Sequence, residues 1–284
     1  MLINMLNFTD ARYYQIIFLS LFLILGIGTR DWTLKIDLIL VLILTCVITQ
    51  LISTFVYKKI SQKTEINVFS SLPSAIITAL GLSLLLRGNH YSTMILAGVL
   101  AILSKFLLQF QQKHFFNPAN FGIIAALLLT HDAWVSPGQW GEDWWYGLIF
   151  LGTGGMIVKK VGRWDTTACF LAVYTLLEVI RNFWLGWTFD VLAHKLMSGS
   201  LLLFALFMIT DPRSIPNARN SRLIWASSIA ILTFIFRNFF FLNTAIFYAL
   251  FIISPLTILL DLIWSDTRFE WSYNQSNLTN QSGV

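Results

Sequence analysis

The sequence predicts an all-α polytopic membrane protein of about ten transmembrane helices, and three observations support this fold class. Hydrophobic residues make up 56% of the 284 residues and charged residues only 12%, about half the charged fraction of a typical soluble domain. The mean hydropathy is +0.70. The apolar runs lack the period-two alternation of membrane-barrel strands, so helices are the expected spanning elements.

Ten apolar segments follow one another along the chain, separated by charged or turn-rich breaks. The second segment carries one acid, Asp37, at its edge and is long enough to cross a bilayer. A polar tail, residues 265–284, follows the last segment and is expected to be disordered. The ten predicted segments are residues 13–28, 36–57, 69–86, 92–110, 117–130, 144–158, 166–180, 192–209, 223–236 and 240–263.

The distribution of Lys and Arg predicts the orientation of these segments. With the N-terminus inside, 13 of the 19 Lys and Arg fall on the cytoplasmic side and 6 fall outside. Basic residues favour cytoplasmic loops, so both termini are expected in the cytoplasm. The basic residues form no continuous stripe, so the lipid bilayer, and not a nucleic acid, is the expected partner.

An internal repeat is predicted within a single membrane domain, residues 1–264. Ten segments divide into two sets of five, and an odd number of spans inverts the second set relative to the first. A shift of about 126 residues aligns two apolar runs and pairs Arg87 with Arg213. We therefore predict two inverted five-helix repeats at about residues 10–130 and 144–264.

The fifth segment holds the first candidate site. Asn117 is a favourable N-cap and Pro118 suits a first helical turn, so a helix is predicted to start here. Residues 118–130 reach roughly 20 Å, less than the roughly 30 Å of a hydrocarbon core. A half-helix starting inside the membrane would direct free N–H groups, beside Asn117 and Asn120, at a polar or anionic ligand. The alternative is a helix capped at the water interface.

Polar residues mark both ends of the eighth segment. Ser198, Gly199 and Ser200 open it, and Asp211 and Pro212 close it. Small hydroxylated residues let helices approach closely, so packing is the default interpretation of the first three, and a polar pathway is the alternative. An acid at a helix C-terminus meets the negative end of the dipole. Asp211 is therefore predicted to have a cationic partner among Arg213, Arg219 and Arg222.

Two further positions interrupt apolar runs. Glu178 lies in the seventh segment, and an ionisable residue there marks a functional-site hypothesis. The alternative is a salt bridge near the outer interface with Arg181, one turn further along the same face. In the last segment, Ser254 and Pro255 predict a break that is either a polar feature or a packing kink.

Several other chemistries have no support in the sequence. Cys46 and Cys169 both lie in apolar runs and do not suggest a disulfide. The four histidines lack ligand spacing, so no metal site is predicted. The run 152–155 resembles a phosphate loop only in its glycines, and helix packing explains it better. No catalytic residue is predicted, because no nucleophile, base and orienting group can be assigned.

Three stretches together resemble one family of membrane proteins. They are DARYYQIIFLSLFLILGI near the N-terminus, FNPANFGI at residues 116–123, and LLLFALFMITDPRSIP at residues 201–216. The chain resembles the NqrB/RnfD family, whose members are membrane subunits of the sodium-pumping NADH:quinone oxidoreductase and of the Rnf ferredoxin:NAD electron-transport complex. The resemblance covers nearly the whole chain, residues 10–264.

This resemblance implies a fold and a function. The fold would be two inverted five-helix halves related to urea and ammonium channels, in a bacterial inner membrane. The function would be flavin binding and electron transfer coupled to cation movement, with other membrane or soluble redox subunits as partners. Residues 117–119 and 211–212 match positions of the family, and a helix N-terminus there could stabilise an electron-rich flavin.

One departure from the family concerns the flavin. Redox members carry a Ser-Gly-Ala-Thr element whose threonine holds FMN covalently, and no threonine occurs here between His131 and Trp145. Covalent FMN is therefore not expected, which leaves a noncovalent flavin, FMN or riboflavin, as an open alternative. Two other hypotheses remain: a stand-alone channel or facilitator for a small solute, and a membrane anchor for soluble redox proteins.

Overall fold

The computed structural model describes residues 10–30, 35–61, 68–135, 144–269 and 271. These residues are mostly helical, as predicted, and α9 continues into a π-helical turn at Phe204–Met208. A 3-10 turn, Val68–Ser71, precedes α3. The α-helices of the described residues are α1 (Ala11–Arg30), α2 (Ile36–Ser61), α3 (Leu72–Leu85), α4 (Tyr91–Leu107), α5 (Pro118–Leu129), α6 (Trp144–Val161), α7 (Trp164–Trp184), α8 (Phe189–Leu196), α9 (Gly199–Leu203), α10 (Arg219–Asn238), α11 (Ala245–Ile253) and α12 (Leu256–Ile263).

Candidate membrane spans are fewer than the ten segments predicted. Among the described residues, Ala11–Thr29 and Ile36–Ile60 are long and apolar enough to cross a membrane, and two bent helix pairs raise the number to four. Helices α3, α4 and α5 are apolar but short. Helices α7 and α10 are less apolar because ionisable residues interrupt them. The count of ten spans therefore stays a prediction.

The two bent pairs lie in the eighth and last predicted segments. Helices α11 and α12 meet at 45°, which confirms the break predicted at Ser254 and Pro255. The eighth segment, predicted as one run over residues 192–209, is instead broken: α8 ends at Leu196, and the helix that starts at Gly199 is inclined to it by 46°.

Two short antiparallel strand pairs correct the expectation of an all-helical chain. β1 (Leu86–Arg87) pairs with β4 (Trp134–Val135), with Leu86 opposite Val135. β2 (Gln109–Phe110) pairs with β3 (Lys113–His114), with Gln109 opposite His114. Both pairs lie between helices, where the connecting backbone has to satisfy its own polar groups.

Neighbouring helices approach closely at two glycines, which have no side chain to keep them apart. A Cβ on Gly122 of α5 would lie 2.7 Å from the carbonyl oxygen of Ala97 in α4. A Cβ on Gly154 of α6 would lie 2.7 Å from Leu206. The second contact shows that Gly154 serves helix packing, whereas an added Cβ on Gly152 or Gly155 would meet no atom within 4 Å.

The helices form one contiguous hydrophobic core. Helix α1 packs against α3 and α6, and α2 packs against α3 and α4. In the second half α7 packs against α10, and α10 against α11, while α5 contacts both α4 and α11. The start of α5 is consequently inside the protein, with Asn117 and Asn120 both buried.

Candidate functional site

The first turn of α5 is organised by Asn117. Its backbone is extended (φ −66°, ψ 124°), and its Oδ1 accepts from the N–H of Asn120 at 3.0 Å. This geometry confirms the predicted N-cap. Asn117 Nδ2 also donates to the carbonyl of Met208 at 3.0 Å. One side chain therefore caps α5 and fastens it to the end of the π-helical turn.

Asn120 links the same turn to the second half of the chain. Its Nδ2 donates to the carbonyl of Phe247 in α11 at 3.1 Å. The residue is only 1% exposed, and its Oδ1 is a buried acceptor without a hydrogen-bond partner. Buried polar atoms are nearly always paired in proteins, so this oxygen suits a donor from a bound molecule or water.

A cavity of about 90 Å³, here called the chamber, lies between α1, α3, the start of α5 and the π-helical turn. Asn117, Pro118 and Asp211 all line it. The chain thus brings together two of the predicted elements that are more than 90 residues apart in sequence. Gly81 of α3 faces Ala119 across the contact, where an added Cβ would lie 3.4 Å from the alanine Cβ.

Asp211 is approached by a residue that sequence reasoning missed. His114 Nε2 lies 3.8 Å from Asp211 Oδ2, and the N–H of Arg213 donates to Asp211 at 3.2 Å. Burial lowers the pKa of His114 even though Asp211 opposes this shift. Burial would raise the pKa of Asp211, but the nearby His114 side chain and the N–H of Arg213 hold it below its usual value. The pair is accordingly a neutral imidazole beside a carboxylate at neutral pH.

Two of the three predicted arginine partners of Asp211, Arg219 and Arg222, are wrong. Arg222 forms a buried ion pair with Asp165 at 2.6 Å, because α10 turns this side chain toward α7. The guanidinium of Arg219 lies 5.8 Å from the ring centroid of Trp164. Arg213 contributes its backbone N–H to Asp211, and Pro212 is buried next to it.

Residues from the start of α1 and from the C-terminal segment meet at the wall of the chamber. Arg12 and Trp271 both line it, and the Arg12 guanidinium lies 5.1 Å from the Trp271 ring centroid. Arg12 also pairs with Asp10 at 2.6 Å and donates to the carbonyl of Ser70 at 3.0 Å. Part of the polar tail thus contacts the helical body, whereas residues 272–284 lie outside the described residues.

The predicted residues at the start of the eighth segment lie away from the chamber. Ser198 is the residue before α9, and Gly199 and Ser200 begin that helix. The helix and its π-helical continuation run from Gly199 to Met208, so roughly 15 Å separate these residues from Asp211. Gly199 and Ser200 are buried, and the chamber wall does not include them.

Glu178 belongs to a separate buried group, here called the Glu178 cluster (Glu178, Lys195 and Asn238). Glu178 Oε2 pairs with Lys195 Nζ at 2.8 Å, and its Oε1 accepts from Asn238 Nδ2 at 2.7 Å. The predicted partner, Arg181, is wrong, because α8 folds back and brings Lys195 to the acid. Arg181 instead lies over the rings of Trp187 and Phe239, at 5.7 Å and 5.6 Å.

Two further expectations concern bound groups. The part of the chain that the structure describes contains no cluster of three His, Cys, Asp or Glu residues that could hold a metal ion. The region replacing the family's threonine element includes residues 136–143, which lie outside the described residues. The missing threonine is therefore established from the sequence and not from the structure.

Comparison with known proteins identifies the family. Residues 126–270, just over half of the chain, match the sequence profile of the NQR2, RnfD, RnfE family. The chain belongs to this family. The resemblance noted in the sequence is thus confirmed for the NQR2, RnfD, RnfE family, and the matched region includes Asp211, Pro212 and Glu178.

Individual relatives from this family match a shorter part of the chain than the family profile does. The D subunit of the ion-translocating oxidoreductase complex of Shewanella sediminis is 34% identical over 101 residues, which is 35% of this chain and 29% of the relative. Its counterpart in Stutzerimonas stutzeri is 30% identical over 121 residues, 41% of this chain and 33% of the relative. That of Escherichia coli O139:H28 is 32% identical over 106 residues, 35% of this chain and 29% of the relative. The chain therefore matches about a third of the length of these relatives.

Proposed function

We propose that this family member is the membrane subunit of an Rnf/Nqr-type electron-transport or ion-translocating system. It would lie in a bacterial inner membrane with both termini in the cytoplasm, beside other membrane or soluble redox subunits. The observation that carries the proposal is the chamber, where Asn117 and Pro118 meet Asp211. The relatives are subunits of an ion-translocating oxidoreductase complex, which supports the same function.

A noncovalent flavin, FMN or riboflavin, is the cofactor we propose for this protein, and the chamber, at about 90 Å³, would hold only one edge of it. One feature of the chamber wall fits such a ring. The start of α5 presents its positive dipole end, which suits an electron-rich atom. Bound there, a flavin would supply one- and two-electron transfer, and this chain would bind and orient it.

The inverted repeat is supported by a sequence match at helix starts. A shift of 126 residues pairs Asn117 with Asn243 and Phe121 with Phe247. Helix α5 begins at Pro118, directly after Asn117, and α11 begins at Ala245, two residues after Asn243.

Helix packing supports the same repeat. Helices α2 and α4 pack together as α7 and α10 do, and α4 and α5 as α10 and α11 do. Asp37 in the first turn of α2 accepts from Tyr91 of α4, and Asp165 in the first turn of α7 pairs with Arg222 of α10. We propose that these paired arrangements descend from one five-helix unit, with the halves at about residues 10–130 and 144–264.

A solute channel is the competing function, and aromatic packing argues against it. Phe207 lines the chamber and packs edge-on against Phe22 with a centroid distance of 5.5 Å. Phe22 in turn packs edge-on against Phe150 at 4.7 Å, and both are fully buried. Closely packed aromatic rings behind the chamber wall leave little room for a continuous solute path, so they favour a bound ligand.

The test is visible absorption of the full chain purified in detergent, before and after acid precipitation. We expect flavin absorbance that passes into the supernatant on precipitation. Asn117→Leu should lower the flavin content more than the yield of folded protein, whereas Asn220→Leu, an exposed control in α10, should change neither. A colourless preparation that also fails to take up added flavin contradicts the proposal. Equal losses of yield and flavin in Asn117→Leu would indicate that Asn117 is a helix cap only.

A further inference from the structure

The stretch of chain after α12 leaves the helical body and then returns to it at the chamber. Residues 265–268 are exposed and belong to no helix or strand. Phe269 and Trp271 are only partly exposed, and both pack against the hydrophobic core. Trp271 is also part of the chamber wall. We call residues 265–269 together with Trp271 the strap.

The ring of Trp271 rests on a guanidinium that is held in place by other residues. The Arg12 guanidinium lies 5.1 Å from the Trp271 ring centroid. Arg12 Nε donates to Asp10 Oδ2 at 2.8 Å, and another of its nitrogens donates to the Ser70 carbonyl at 3.0 Å. Because these bonds fix the guanidinium, its face is available to the indole ring without rearrangement.

The rest of the strap contacts two other parts of the molecule. The Arg163 guanidinium, between α6 and α7, lies 5.6 Å from the ring centroid of Phe269. Arg268 donates to the carbonyl of Gln111, in the turn between β2 and β3, at 3.0 Å. Phe269 packs edge-on against Trp271 with a centroid distance of 4.9 Å. The strap thus lies across three separate elements of the body.

These contacts are of a kind that breaks and re-forms while the helices stay folded. The bond from Arg268 to Gln111 is exposed to solvent, and cation–π contacts at partly exposed positions contribute little each. Segments with few buried apolar contacts and exposed hydrogen bonds open locally long before the whole protein unfolds. The other chamber walls belong to helices that are packed into the core, so the strap is the wall element that moves at least cost.

We infer that the strap is a gate for the chamber: Trp271 closes one wall, and local detachment of the strap opens the chamber to molecules in solution. The competing explanation is that Trp271 is a permanent part of the wall and that ligands enter elsewhere. Access to the chamber does not depend on which ligand binds there, so the gate can fail its test while the flavin proposal stands.

The experiment measures how fast a water-soluble reagent reaches the chamber. Ser74 lines the chamber, so Ser74→Cys in a full chain with Cys46→Ala and Cys169→Ala provides a single reporter thiol. The protein is purified in detergent, and the rate of modification by a charged methanethiosulfonate reagent is recorded. Trp271→Ala should raise this rate about tenfold, because the reagent reacts only with the open form and the substitution removes the ring contacts that hold the strap closed. Trp271→Phe keeps a ring and should react at nearly the original rate, and Trp264→Ala, the matched control at an exposed position after α12, should leave the rate unchanged.

A second reporter separates opening of the gate from loosening of the whole fold. Cys46 is fully buried in α2 and does not line the chamber. In a chain where it is the sole cysteine, Trp271→Ala should change neither its modification rate nor the melting temperature. Equal acceleration at Cys46 and at Ser74→Cys would overturn the gate, since Trp271 would then stabilise the fold in general.

Two further outcomes would also overturn the gate. In the first, Trp271→Ala leaves the rate at Ser74→Cys unchanged, which would mean that the reagent enters by another route. In the second, Ser74→Cys reacts as fast with the strap intact as Asn220→Cys, an exposed reporter at the start of α10, which would mean that the strap covers nothing.

Discussion

At the scale of single residues, the Glu178 cluster shows how a buried charge is accommodated in this chain. Glu178 is 1% exposed and accepts from two side chains, one cationic and one neutral. Lys195 also donates to Asn238 Oδ1 at 3.1 Å, so the three side chains satisfy one another. A group of this kind is stable only while it is complete, because each member left alone is a buried polar group without a partner.

Glu178→Gln should therefore lower the free energy of unfolding by roughly 2–3 kcal/mol, because it leaves the Lys195 ammonium without a counter-charge. The measurement is the thermal midpoint in detergent. The double variant Glu178→Gln, Lys195→Met should recover part of the loss. A double variant that is no better than the single one would show that the ion pair is not the source of the effect.

A second residue-scale prediction concerns Asp132, which lies in a loop outside the helices. Burial would raise the pKa of its carboxyl, but the N–H of His90 at 3.0 Å and the Thr93 hydroxyl at 2.8 Å donate to it and hold the pKa well below its usual value. A lowered pKa in the folded state stabilises the protein above the unfolded pKa of about 4, and this stabilisation is lost as pH falls.

Asp132→Asn should lower the melting temperature at pH 7, and its deficit relative to wild type should shrink as pH falls below about 4. The midpoints are measured from pH 7 to pH 3. Asp190→Asn, at an exposed position, should leave the midpoint unchanged at pH 7. A deficit for Asp132→Asn that stays constant down to pH 3 contradicts the account.

Sequence reasoning succeeded for residues whose partners are local. The cap at Asn117 was predictable because the accepting Oδ1 of Asn117 and the donating N–H of Asn120 are only three residues apart. Of the predicted partners of Asp211 only Arg213 contacts it, through its backbone N–H. His114 was missed because it lies 97 positions earlier and reaches Asp211 only through the fold.

At the scale of elements, the contact between α4 and α5 fixes where the start of α5 lies. Gly122 is the point of closest approach, because an added Cβ would lie 2.7 Å from the Ala97 carbonyl oxygen and 2.9 Å from the Ala101 Cβ. Backbone atoms cannot move aside as a flexible side chain can. The position of Asn117, one turn and a half before Gly122, depends on this contact.

Gly122→Ala should destabilise the protein by about 1–3 kcal/mol, as expected for overpacking against backbone. Gly152→Ala is the matched control in α6, where no atom lies within 4 Å of the added Cβ. It should be neutral or stabilise by up to about 1 kcal/mol, because alanine is the better helix former. Equal effects of the two substitutions on the thermal midpoint would contradict the packing account.

A break between two helices could be predicted only where a residue at the break itself causes it. Pro255 lacks an N–H and clashes with the preceding turn, so its sequence position alone indicated the bend. The bend between α8 and α9 follows no proline, and the small polar residues at it, Ser198 and Gly199, were interpreted as helix packing or a polar pathway. The strand pair β2–β3 was missed because Phe110 reads as the end of an apolar helix.

At the scale of the whole molecule, two groups of helices meet at the start of α5. Asn117 donates to Met208 of the π-helical turn and Asn120 donates to Phe247 of α11, so the first half of the chain is joined to the second at the start of α5. Composition was sufficient to predict a helical membrane protein, since 56% hydrophobic residues leave few alternatives. Composition alone did not determine the number of spans, because α7 and α10 have ionisable residues among their buried positions.

The central claim is that the start of α5 lies within the membrane and forms a ligand chamber with the Asp211 element. An experimental map of the full chain, purified with its native ligand in a lipid nanodisc, tests this claim most directly. The account predicts Pro118 below the headgroup layer and ligand density between Asn117, Ser74 and Asp211. Pro118 at the level of the headgroups, with side chains filling the chamber, would contradict it.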